Sequence, residues 1–525
     1  MRHYLKRVCG LLAALLAMLP LCAMAEMPGP IPGMIDEKAE IIVTGETDLP
    51  GRFFLSFPFS RNLMVLDGKG KIVWEKYEPF ASPDQPGAFW DFKQHVVDGE
   101  VYYSYHDNTG TYDNYGLTGY GPGERVILDK DFNEIKRITF EESGVTPKGF
   151  PLDGHDFLLI DLNHYILNGY IKDTVYNIPG YEDGSDVVFS YLQEVKDGEV
   201  VWEWKSIDYP ELYGLITIDS YSQTGANDFA NEKVAAPDYI HFNSMDLDAD
   251  GNLICSFRHI HSILCLDRSA SENQIKWTLS GVADEFGLSP IQKCSAQHTA
   301  FVDGNYITVF DNGNRNGASR VVGYCVDTEN KKLKAFRSYT LGGKYSEACG
   351  SAQHIDGEVY VIGWGVSMGD PEAMSVVDFA TGETLMSVSL KNPMNSTYRC
   401  LYFEPVESDS LEAYLASVKE EADAIRASIE NDPMTQLDMN MKAEELREIW
   451  DAALIRALDE AKAALPEAEW NALADAQNAW TDLAEKAIET AGKGFEGGSM
   501  YALIVNMEAA SLTEARVYEI CEMLK

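Results

Sequence analysis

Basic residues are scarce in this chain. Its 42 lysines and arginines stand against 83 aspartates and glutamates, and the formal net charge is −41 at neutral pH. Nucleic acids and anionic membranes are bound through clustered lysines and arginines, so this charge balance argues against either as a partner. It does not exclude an anionic substrate, because a local cationic pocket can bind an anion inside an acidic molecule.

Long apolar runs are missing after the first 25 residues, so no membrane span is expected. The start of the chain is different. A basic segment precedes an apolar run over residues 11–21 and a small-residue site at Ala23 and Ala25. This pattern predicts a signal peptide over residues 1–25, cut before Glu26, and an exported, soluble protein that is periplasmic or extracellular.

Several site signatures are also missing. Cleavage after Ala25 leaves seven cysteines, an odd number without any CxxC pair, which predicts buried free thiols and no metal site. There is no P-loop, no GxSxG and no GxGxxG on a strand-to-helix turn, so no cofactor is expected. The metal-dependent sulfatase signature C/S-x-P-x-R is absent as well.

What the chain does contain is a repeated strand, turn and strand unit. Apolar alternation on both sides of an Asp- or Gly-containing turn recurs six times, in units that begin at Gly51, Arg125, Ser190, Ser262, Val321 and Met374. Such a period in an all-β pattern is typical of a β-propeller. We therefore predict an all-β six-bladed β-propeller over residues 26–407, with the ring closed between the first strands and the sixth blade.

A second segment, headed by a histidine, repeats in step with the first. Its copies begin near His95, His155, His241, His298 and His354. The interval after His155 is longer, which we attribute to an irregular insertion between about Thr174 and Ala236. In a propeller the innermost strand of each blade faces the central channel. If the strand that opens each unit is the innermost one, these histidines are gathered around one axis.

The pattern changes from residue 408 onwards. Apolar residues then fall at helical spacing through 408–525, with breaks at Pro466 and in the glycine-rich segment 494–498. This predicts a separate, small, acidic all-α helical domain after the propeller.

Three histidines and one arginine are the main candidates for chemistry. His155, His241 and His298 head repeats, and Arg258 stands at the other end of the strand pair that His241 opens. A single histidine of this kind could simply bond a neighbouring blade. A cluster with an arginine is harder to explain in that way, because buried cationic groups without an anion are costly.

Two further histidines, His259 and His261, are interpreted differently. They lie two apart on what reads as a strand, on the face opposite Arg258. We interpret them as outer-face or structural residues and not as a metal pair.

A family resemblance follows from the same motifs. The runs His241-Phe242-Asn243-Ser244 and Ser256-Phe257-Arg258-His259, and Gln297-His298-Thr299-Ala300 leading to Phe310-Asp311-Asn312-Gly313, closely resemble the bacterial arylsulfate sulfotransferase family over roughly residues 40–405. The resemblance implies a six-bladed propeller that moves a sulfuryl group between phenols without a nucleotide donor. It also implies His298 as the transiently sulfated nucleophile, with His155, His241 and Arg258 lining the site.

Other roles are expected on weaker grounds. Asn243, Asn312 and His354 are candidates for binding substrate. From about residue 433 the helical domain resembles the lysozyme inhibitor LprI-like family, on Gln477-Asn478-Ala479-Trp480 and Leu512-Thr513-Glu514-Ala515-Arg516. It is interpreted as an exported appendage that could bind a protein partner.

Two alternatives to sulfotransferase activity remain open from the sequence. One is a non-catalytic exported propeller that binds a phenolic, glycan or protein ligand. The other is a sulfatase that uses water as the acceptor, against which the missing sulfatase signature argues. The physiological donor and acceptor and the oligomeric state are not determined by the sequence.

Overall fold

The computed structural model describes residues 33–97, 99–108, 112, 115, 119–177, 182–216, 238–340, 342–367, 369–406, 411–431 and 433–524. The predicted signal peptide, residues 1–25, lies outside these ranges. The chain divides into two compact units, Met1–Pro405 and Val406–Lys525. Within the described residues, no helix is both long enough and apolar enough to cross a membrane.

The first unit consists of six antiparallel sheets, which confirms the predicted six-bladed propeller. In the lists that follow, the strand next to the channel comes first. Blade 1 comprises β26 (Arg399–Phe403), β2 (Arg52–Ser56), β3 (Asn62–Asp67) and β4 (Ile72–Tyr77). Blade 2 comprises β5 (Ala88–Val97), β6 (Glu100–Asn108), β7 (Pro122–Leu128) and β8 (Glu134–Ile138), with the short β9 (Leu152–Asp153) paired to β7.

Blades 3 and 4 follow the same plan. Blade 3 comprises β10 (Leu158–Asp161), β11 (His164–Val175), β12 (Ser185–Lys196) and β13 (Glu199–Lys205). Blade 4 comprises β14 (Phe242–Leu247), β15 (Leu253–Phe257), β16 (Ser262–Leu266) and β17 (Ile275–Ser280). Two short 3₁₀ helices, Ser206–Asp208 and Pro210–Leu215, follow blade 3.

Blades 5 and 6 complete the ring. Blade 5 comprises β18 (His298–Asp303), β19 (Tyr306–Asp311), β20 (Arg320–Asp327) and β21 (Lys332–Tyr339). Blade 6 comprises β22 (Ser351–Asp356), β23 (Val359–Gly363), β24 (Glu372–Asp378), β25 (Glu383–Leu390) and, outermost, β1 (Ile41–Gly45).

Two details differ from the sequence-based expectations. The inner strand of blade 1 is the last strand, β26, and not an opening strand, because the chain closes the ring by pairing β26 with β2 and β1 with β25. The expected irregular insertion between Thr174 and Ala236 is wrong in part, since β12 and β13 occupy residues 185–205. The later part of that segment, residues 217–237, lies outside the described residues.

The six sheets are held together by apolar side chains packed between neighbouring blades. The largest group fills the space around blades 3 and 4, where Tyr191, Trp204, Phe242 and Phe257 are buried. Successive side chains of a strand point to opposite faces of its sheet, and each face packs against a neighbouring blade, as expected for antiparallel sheets arranged in a ring.

The second unit is helical, as predicted, and its described helices are α1 (Leu411–Asn431), α2 (Gln436–Ala464), α3 (Glu467–Gly492) and α4 (Tyr501–Met523). Thr435 and Asp438 form a capping box at the start of α2, and the helix ends before Pro466. Trp450 is fully buried in the apolar core between these helices.

No disulfide joins the seven cysteines of the described residues. Four of them, Cys255, Cys265, Cys294 and Cys400, are buried, as expected for thiols within apolar strands. Cys325, Cys349 and Cys521 are partly accessible.

Candidate active site

Three of the repeated histidines meet at one mouth of the channel. His155 lies between β9 and β10, His241 directly precedes β14, and His298 opens β18. The inner strands of neighbouring blades begin at the same end of the ring, so these side chains converge. The ring centroid of His155 is 4.9 Å from that of His241 and 5.9 Å from that of His298.

Arg258 joins the same cluster through the hairpin of blade 4. It directly follows β15, and its backbone N–H donates to the carbonyl of His241 at 2.8 Å. Its Nη2 donates to the carbonyl of Glu347 at 3.0 Å. Burial lowers the pKa of Arg258, but an arginine stays protonated in proteins because its ordinary pKa lies so high. The site therefore contains a fixed positive charge.

These four side chains line a cavity of about 420 Å³. Most of its remaining wall is apolar or aromatic, from residues that include Phe59, Trp90, Tyr112, Tyr120, Val366 and Tyr398. A cavity of this size, largely apolar with a few convergent polar groups, is typical of a small-molecule site.

His298 is held as a neutral imidazole with one available nitrogen. Its Nδ1 lies 2.8 Å from the carbonyl oxygen of Gly350, which can only accept, so Nδ1 carries the hydrogen. Its Nε2 is buried and has no hydrogen-bond partner among the described residues. Burial, and next the positive charge of Arg399, hold the pKa of His298 well below its ordinary value. The lone pair of Nε2 is therefore free for nucleophilic attack.

His155 and His241 have a different partner at Nδ1. The Nδ1 of His155 lies 2.5 Å from Oδ1 of Asp153, and the Nδ1 of His241 lies 2.5 Å from Oδ2 of Asp238. Burial would raise the pKa of both carboxyls, but interaction with the histidines outweighs it, and both pKa values are lowered. For His241 burial outweighs the attraction of Asp238, and its pKa is lowered.

A network of buried charges lies next to the histidines. The carboxylate of Asp91 pairs with Arg399 at 2.7 Å, with Lys93 at 3.0 Å and with Arg125. Arg399 also donates to the carbonyl of Asn243. Sequence reasoning missed this network, because its members come from β5, β7 and the closing strand β26 and share no local motif.

The aromatic wall was also missed. The rings of Trp90 and Tyr398 stack at 5.2 Å with an interplanar angle of 12°, and Tyr398 meets His298 edge-on at 5.4 Å. The hydroxyl of Tyr398 donates to the carbonyl of His155 at 2.9 Å. The chain has 58 aromatic residues other than histidine spread over its length, so nothing in the sequence distinguished these two.

The placement of His259 and His261 on the outer face of a strand was wrong. Both lie in the turn after β15, not on a strand, and both are buried. Nδ1 of His259 donates to the carbonyl of Asp238 at 2.7 Å, and its ring lies 4.6 Å from that of His241. His259 therefore packs directly behind a cavity residue.

The three weaker candidates lie away from the cavity wall. Asn243 donates to the carbonyl of Gln297 at 2.7 Å. Asn312 donates to the carbonyls of Ser346 and Cys349, each at 3.0 Å. His354 lies at the fourth position of β22, bonds the carbonyl of Gly357 at 2.9 Å and packs against Tyr360. Substrate binding by these residues stays a prediction.

One group in the described residues could hold a metal ion. Asp238, His241 and His259 each offer a ligand atom, and these atoms lie within 4.8 Å of one another. The Nδ1 atoms of the two histidines already bond the side chain and the backbone of Asp238. A metal bound through these two Nδ1 atoms would have to displace both hydrogen bonds.

Comparison with known proteins identifies two families. Residues 110–368, which run from blade 2 to blade 6, match the family model described as Arylsulfotransferase (ASST), and residues 428–520 match that of Lysozyme inhibitor LprI. No protein with a curated description matches the chain significantly.

Three of the solved structures that match the chain are distant from it in sequence. A protein of unknown function from Bacteroides caccae is 13% identical, with a TM-score of 0.36, and the match covers 68% of this chain and 100% of that one. A catalytically inactive virginiamycin B lyase from Staphylococcus aureus is 9% identical, with a TM-score of 0.28, covering 67% and 99%. A periplasmic gluconolactonase from Pseudomonas aeruginosa is 12% identical, with a TM-score of 0.29, covering 67% and 98%.

Proposed function

We propose that this chain, whose residues 110–368 match the Arylsulfotransferase (ASST) family model, transfers a sulfuryl group from an aryl sulfate ester to a phenol, through a sulfated histidine. The observation that carries the proposal is the state of His298. It is a buried, neutral imidazole whose Nε2 is unpartnered among the described residues, and its side chain lines a cavity together with two further imidazoles and Arg258.

In the first half-reaction, the lone pair of His298 Nε2 attacks the sulfur of the donor. The bond between sulfur and the aryl oxygen breaks, and its electron pair stays on that oxygen. A proton from a second imidazole, His155 or His241, neutralises the departing phenolate. The products are a phenol and His298 carrying the sulfuryl group on Nε2.

The second half-reaction reverses these events with a new phenol. The oxygen of the acceptor attacks the sulfur, its proton passes to the imidazole that served as the acid, and the N–S bond breaks. The electron pair returns to Nε2, which restores the neutral histidine. No step of this scheme uses a nucleotide. The sequence agrees with this, because it contains no P-loop and no GxGxxG motif on a strand-to-helix turn.

Positive charge in the site supports transfer of an anionic group. Arg258 lines the cavity as a buried guanidinium, and Arg399 lies close enough to His298 to influence its pKa. Fixed donors and charges in a buried site stabilise developing negative charge without having to reorganise. The stacked rings of Trp90 and Tyr398 offer an apolar face for the aryl part of donor and acceptor.

The test uses p-nitrophenyl sulfate as donor and phenol as acceptor. We expect the wild type to release p-nitrophenol over many turnovers only when phenol is present, and His298→Ala to lose this activity by at least a hundredfold. The matched control is His164→Ala, because His164 bonds Glu194 on blade 3, outside the cavity wall.

Two outcomes would contradict the proposal. Continuous release without an acceptor, beyond the single turnover that sulfates His298, indicates a sulfatase. No release with any of several donors and phenols indicates a binding propeller. A further readout is intact mass spectrometry of protein incubated with donor alone, in which the wild type gains one sulfuryl group and His298→Ala gains none.

The helical domain supports a second, independent role. Its match to the Lysozyme inhibitor LprI family over residues 428–520 supports binding of a protein partner. The direct test is whether the full chain slows the lysis of bacterial cell walls by lysozyme. His298→Ala should behave like the wild type in this assay, because the two functions use separate units of the chain.

We propose that the protein is exported, because residues 1–25 are predicted to be a signal peptide. Sequencing the N-terminus of the protein recovered from expressing cells tests it. A mature chain that begins at Glu26 is the expected result, and a chain that keeps residues 1–25 in the cytoplasm contradicts it.

A further inference from the structure

The three cavity histidines are not equivalent, because their Nδ1 atoms have different partners. His155 and His241 each face a carboxylate of their own, Asp153 and Asp238, at 2.5 Å. His298 faces a backbone carbonyl, that of Gly350, at 2.8 Å. The nucleophile therefore has a neutral partner, whereas the two other imidazoles have anionic ones.

The carboxylate of Asp153 is itself held in place. Its Oδ1 accepts the backbone N–H of His155 at 3.0 Å, and its Oδ2 accepts the backbone N–H of Gly121 at 3.0 Å. Both oxygens are thus oriented before any ligand enters. Asp153 lies on the two-residue strand β9, which pairs with β7 of blade 2.

The carboxylate of Asp238 is oriented in a similar way. Its Oδ1 accepts the backbone N–H of His241 at 3.2 Å, and its backbone carbonyl accepts from Nδ1 of His259 at 2.7 Å. Both aspartates are buried, and neither lines the cavity. Each contacts a histidine that does.

A carboxylate at Nδ1 changes what an imidazole can do at Nε2. It fixes the hydrogen on Nδ1, and it stabilises the ring when Nε2 also carries a proton. A backbone carbonyl fixes the same hydrogen but supplies no negative charge. The pKa of Asp153 and that of Asp238 are lowered despite burial, so both carboxyls are ionised at neutral pH.

The position of His155 distinguishes it from His241. Its ring lies between the other two, 5.9 Å from His298 and 4.9 Å from His241. His155 is therefore the imidazole that lies beside both His298 and His241.

We propose that Asp153 and Asp238 are positioning residues, and that Asp153 makes His155 the acid that protonates the departing phenol while Asp238 orients His241 toward the sulfuryl oxygens. This assignment rests on the proposed function and deepens it. The proton on Nε2 of His155 passes to the aryl oxygen as the S–O bond breaks, which leaves a neutral imidazole beside the carboxylate of Asp153. The acceptor phenol returns that proton in the second half-reaction, and Asp153 keeps its charge throughout.

If Asp153 supports proton transfer to the leaving group, its loss should make the rate depend more strongly on the basicity of that group, which a purely structural role would not do. A weakly basic leaving group such as p-nitrophenolate needs little protonation, whereas a strongly basic one such as 4-methoxyphenolate needs much more. Loss of Asp153 should therefore slow poor leaving groups more than good ones. Loss of Asp238, which acts on sulfuryl oxygens common to all donors, should slow every donor by a similar factor.

The experiment measures kcat/KM for a series of substituted phenyl sulfates with one fixed acceptor, because in a two-step transfer kcat/KM for the donor reports the first half-reaction. The variants are Asp153→Asn and Asp238→Asn, which keep the shape and one acceptor oxygen. The matched control is Asp246→Asn, a largely buried aspartate on β14 whose carboxylate accepts two backbone N–H groups and no histidine. Thermal unfolding of each variant checks that it is folded.

For Asp153→Asn we expect a loss of about tenfold with p-nitrophenyl sulfate and of about a hundredfold or more with 4-methoxyphenyl sulfate. The plot of log kcat/KM against leaving-group pKa then becomes steeper than that of the wild type. Asp238→Asn should give a line parallel to the wild-type line, and Asp246→Asn should coincide with it. A parallel line for Asp153→Asn overturns the proposal.

A second measurement separates this inference from the proposed function. Short bonds from an imidazole N–H to a carboxylate give strongly downfield proton NMR signals, and we expect one such signal from His155 and one from His241, each lost in the matching Asn variant, whereas a signal from the bond of His164 to Glu194 stays in both variants. This readout needs no activity. If no donor reacts with the wild type, the proposed function fails, and the two signals still decide whether the paired imidazoles exist. Absence of both signals in the wild type overturns the inference.

Discussion

At the scale of single residues, the three histidines of the site differ in the atom that accepts the hydrogen bond from Nδ1. Three histidines occupy similar places in three blades, yet Gly350 offers His298 a carbonyl, whereas Asp153 and Asp238 offer carboxylates. The carbonyl of Gly350 is available because of its backbone conformation. Its φ of +98° is one that side-chain-bearing residues rarely adopt.

Gly350→Ala tests that dependence. A Cβ at this position would lie 2.4 Å from a ring carbon of Phe310 and 3.0 Å from the carbonyl oxygen of Gly363, so the backbone must move and take the acceptor of His298 with it. We expect a loss of about 2 kcal/mol or more in the free energy of unfolding and more than a tenfold loss of transfer. Chemical denaturation and the p-nitrophenyl sulfate assay measure the two effects.

The control for Gly350→Ala is Gly357→Ala, in the turn between β22 and β23. Gly357 also has a positive φ, of +57°, but a Cβ there meets nothing within 4 Å. It should lose only about 1 kcal/mol and keep its transfer activity. Wild-type transfer by Gly350→Ala would mean that the carbonyl does not orient His298.

At the scale of the strands, the channel is lined by the innermost strand of each blade, and neighbouring inner strands are joined by side chains. Between β14 and β18, Asn243 donates to the carbonyl of Gln297, Ser244 accepts the N–H of Ala300 at 2.9 Å, and Asp246 accepts the N–H of Val302 at 2.8 Å. Asn243, which sequence reasoning placed near substrate, therefore forms a hydrogen bond between two blades. These bonds join β14 to β18.

Asp246 makes this inter-blade contact sensitive to pH. Burial raises its pKa to about 6. Because the folded state then binds a proton more tightly than the unfolded state, stability from this group is greatest at low pH and falls as pH rises from about 4 to about 6. Relative to the wild type, Asp246→Asn should therefore gain on the order of 2 kcal/mol between pH 4 and pH 7.

Urea unfolding at a series of pH values measures this difference, with Asp250→Asn as the control. Asp250 lies in the exposed turn between β14 and β15, so its variant should follow the wild type at every pH. A constant difference between Asp246→Asn and the wild type would show that Asp246 does not titrate in this range.

At the scale of the whole molecule, the two units differ in their histidine content. All ten histidines lie before Val406. Burial lowers the pKa of five of them, His95, His106, His241, His259 and His298, and that of His106 falls to about 4. The unfolded chain binds protons at these sites as pH falls below about 6.5, and the folded propeller does not.

The propeller should consequently lose stability on mild acidification, with each histidine contributing at most about 1.4 kcal/mol for each pH unit below about 6.5. Protonation of Asp246 opposes this effect but is one group against five. Thermal unfolding of the full chain, followed in the separate infrared bands of strands and helices, should show the strand transition falling between pH 7 and pH 5.5. The helix transition should move much less, and equal shifts of both would contradict the prediction.

Much of the fold was predicted from the sequence alone, because the sequence patterns that indicate strands, turns and helices are local. Alternating strands, repeated turns and a late change to helical spacing predicted a six-bladed propeller followed by a helical domain, which the structure confirms. The same repeats drew attention to His155, His241 and His298, since equivalent positions in blades face one axis. His95 and His354 share the repeat but lie further along β5 and β22, so the same reasoning did not separate them.

Tertiary structure decided what no local pattern contains. Trp90 and Tyr398 meet because β26 returns from the end of the propeller to pair inside blade 1. The partner of each imidazole is likewise set by contacts across the ring or by turn geometry, and the partner determines which nitrogen carries the hydrogen. Sequence periodicity reports which face a residue occupies. It does not report which atom lies opposite, and the chemistry of an imidazole depends on that atom.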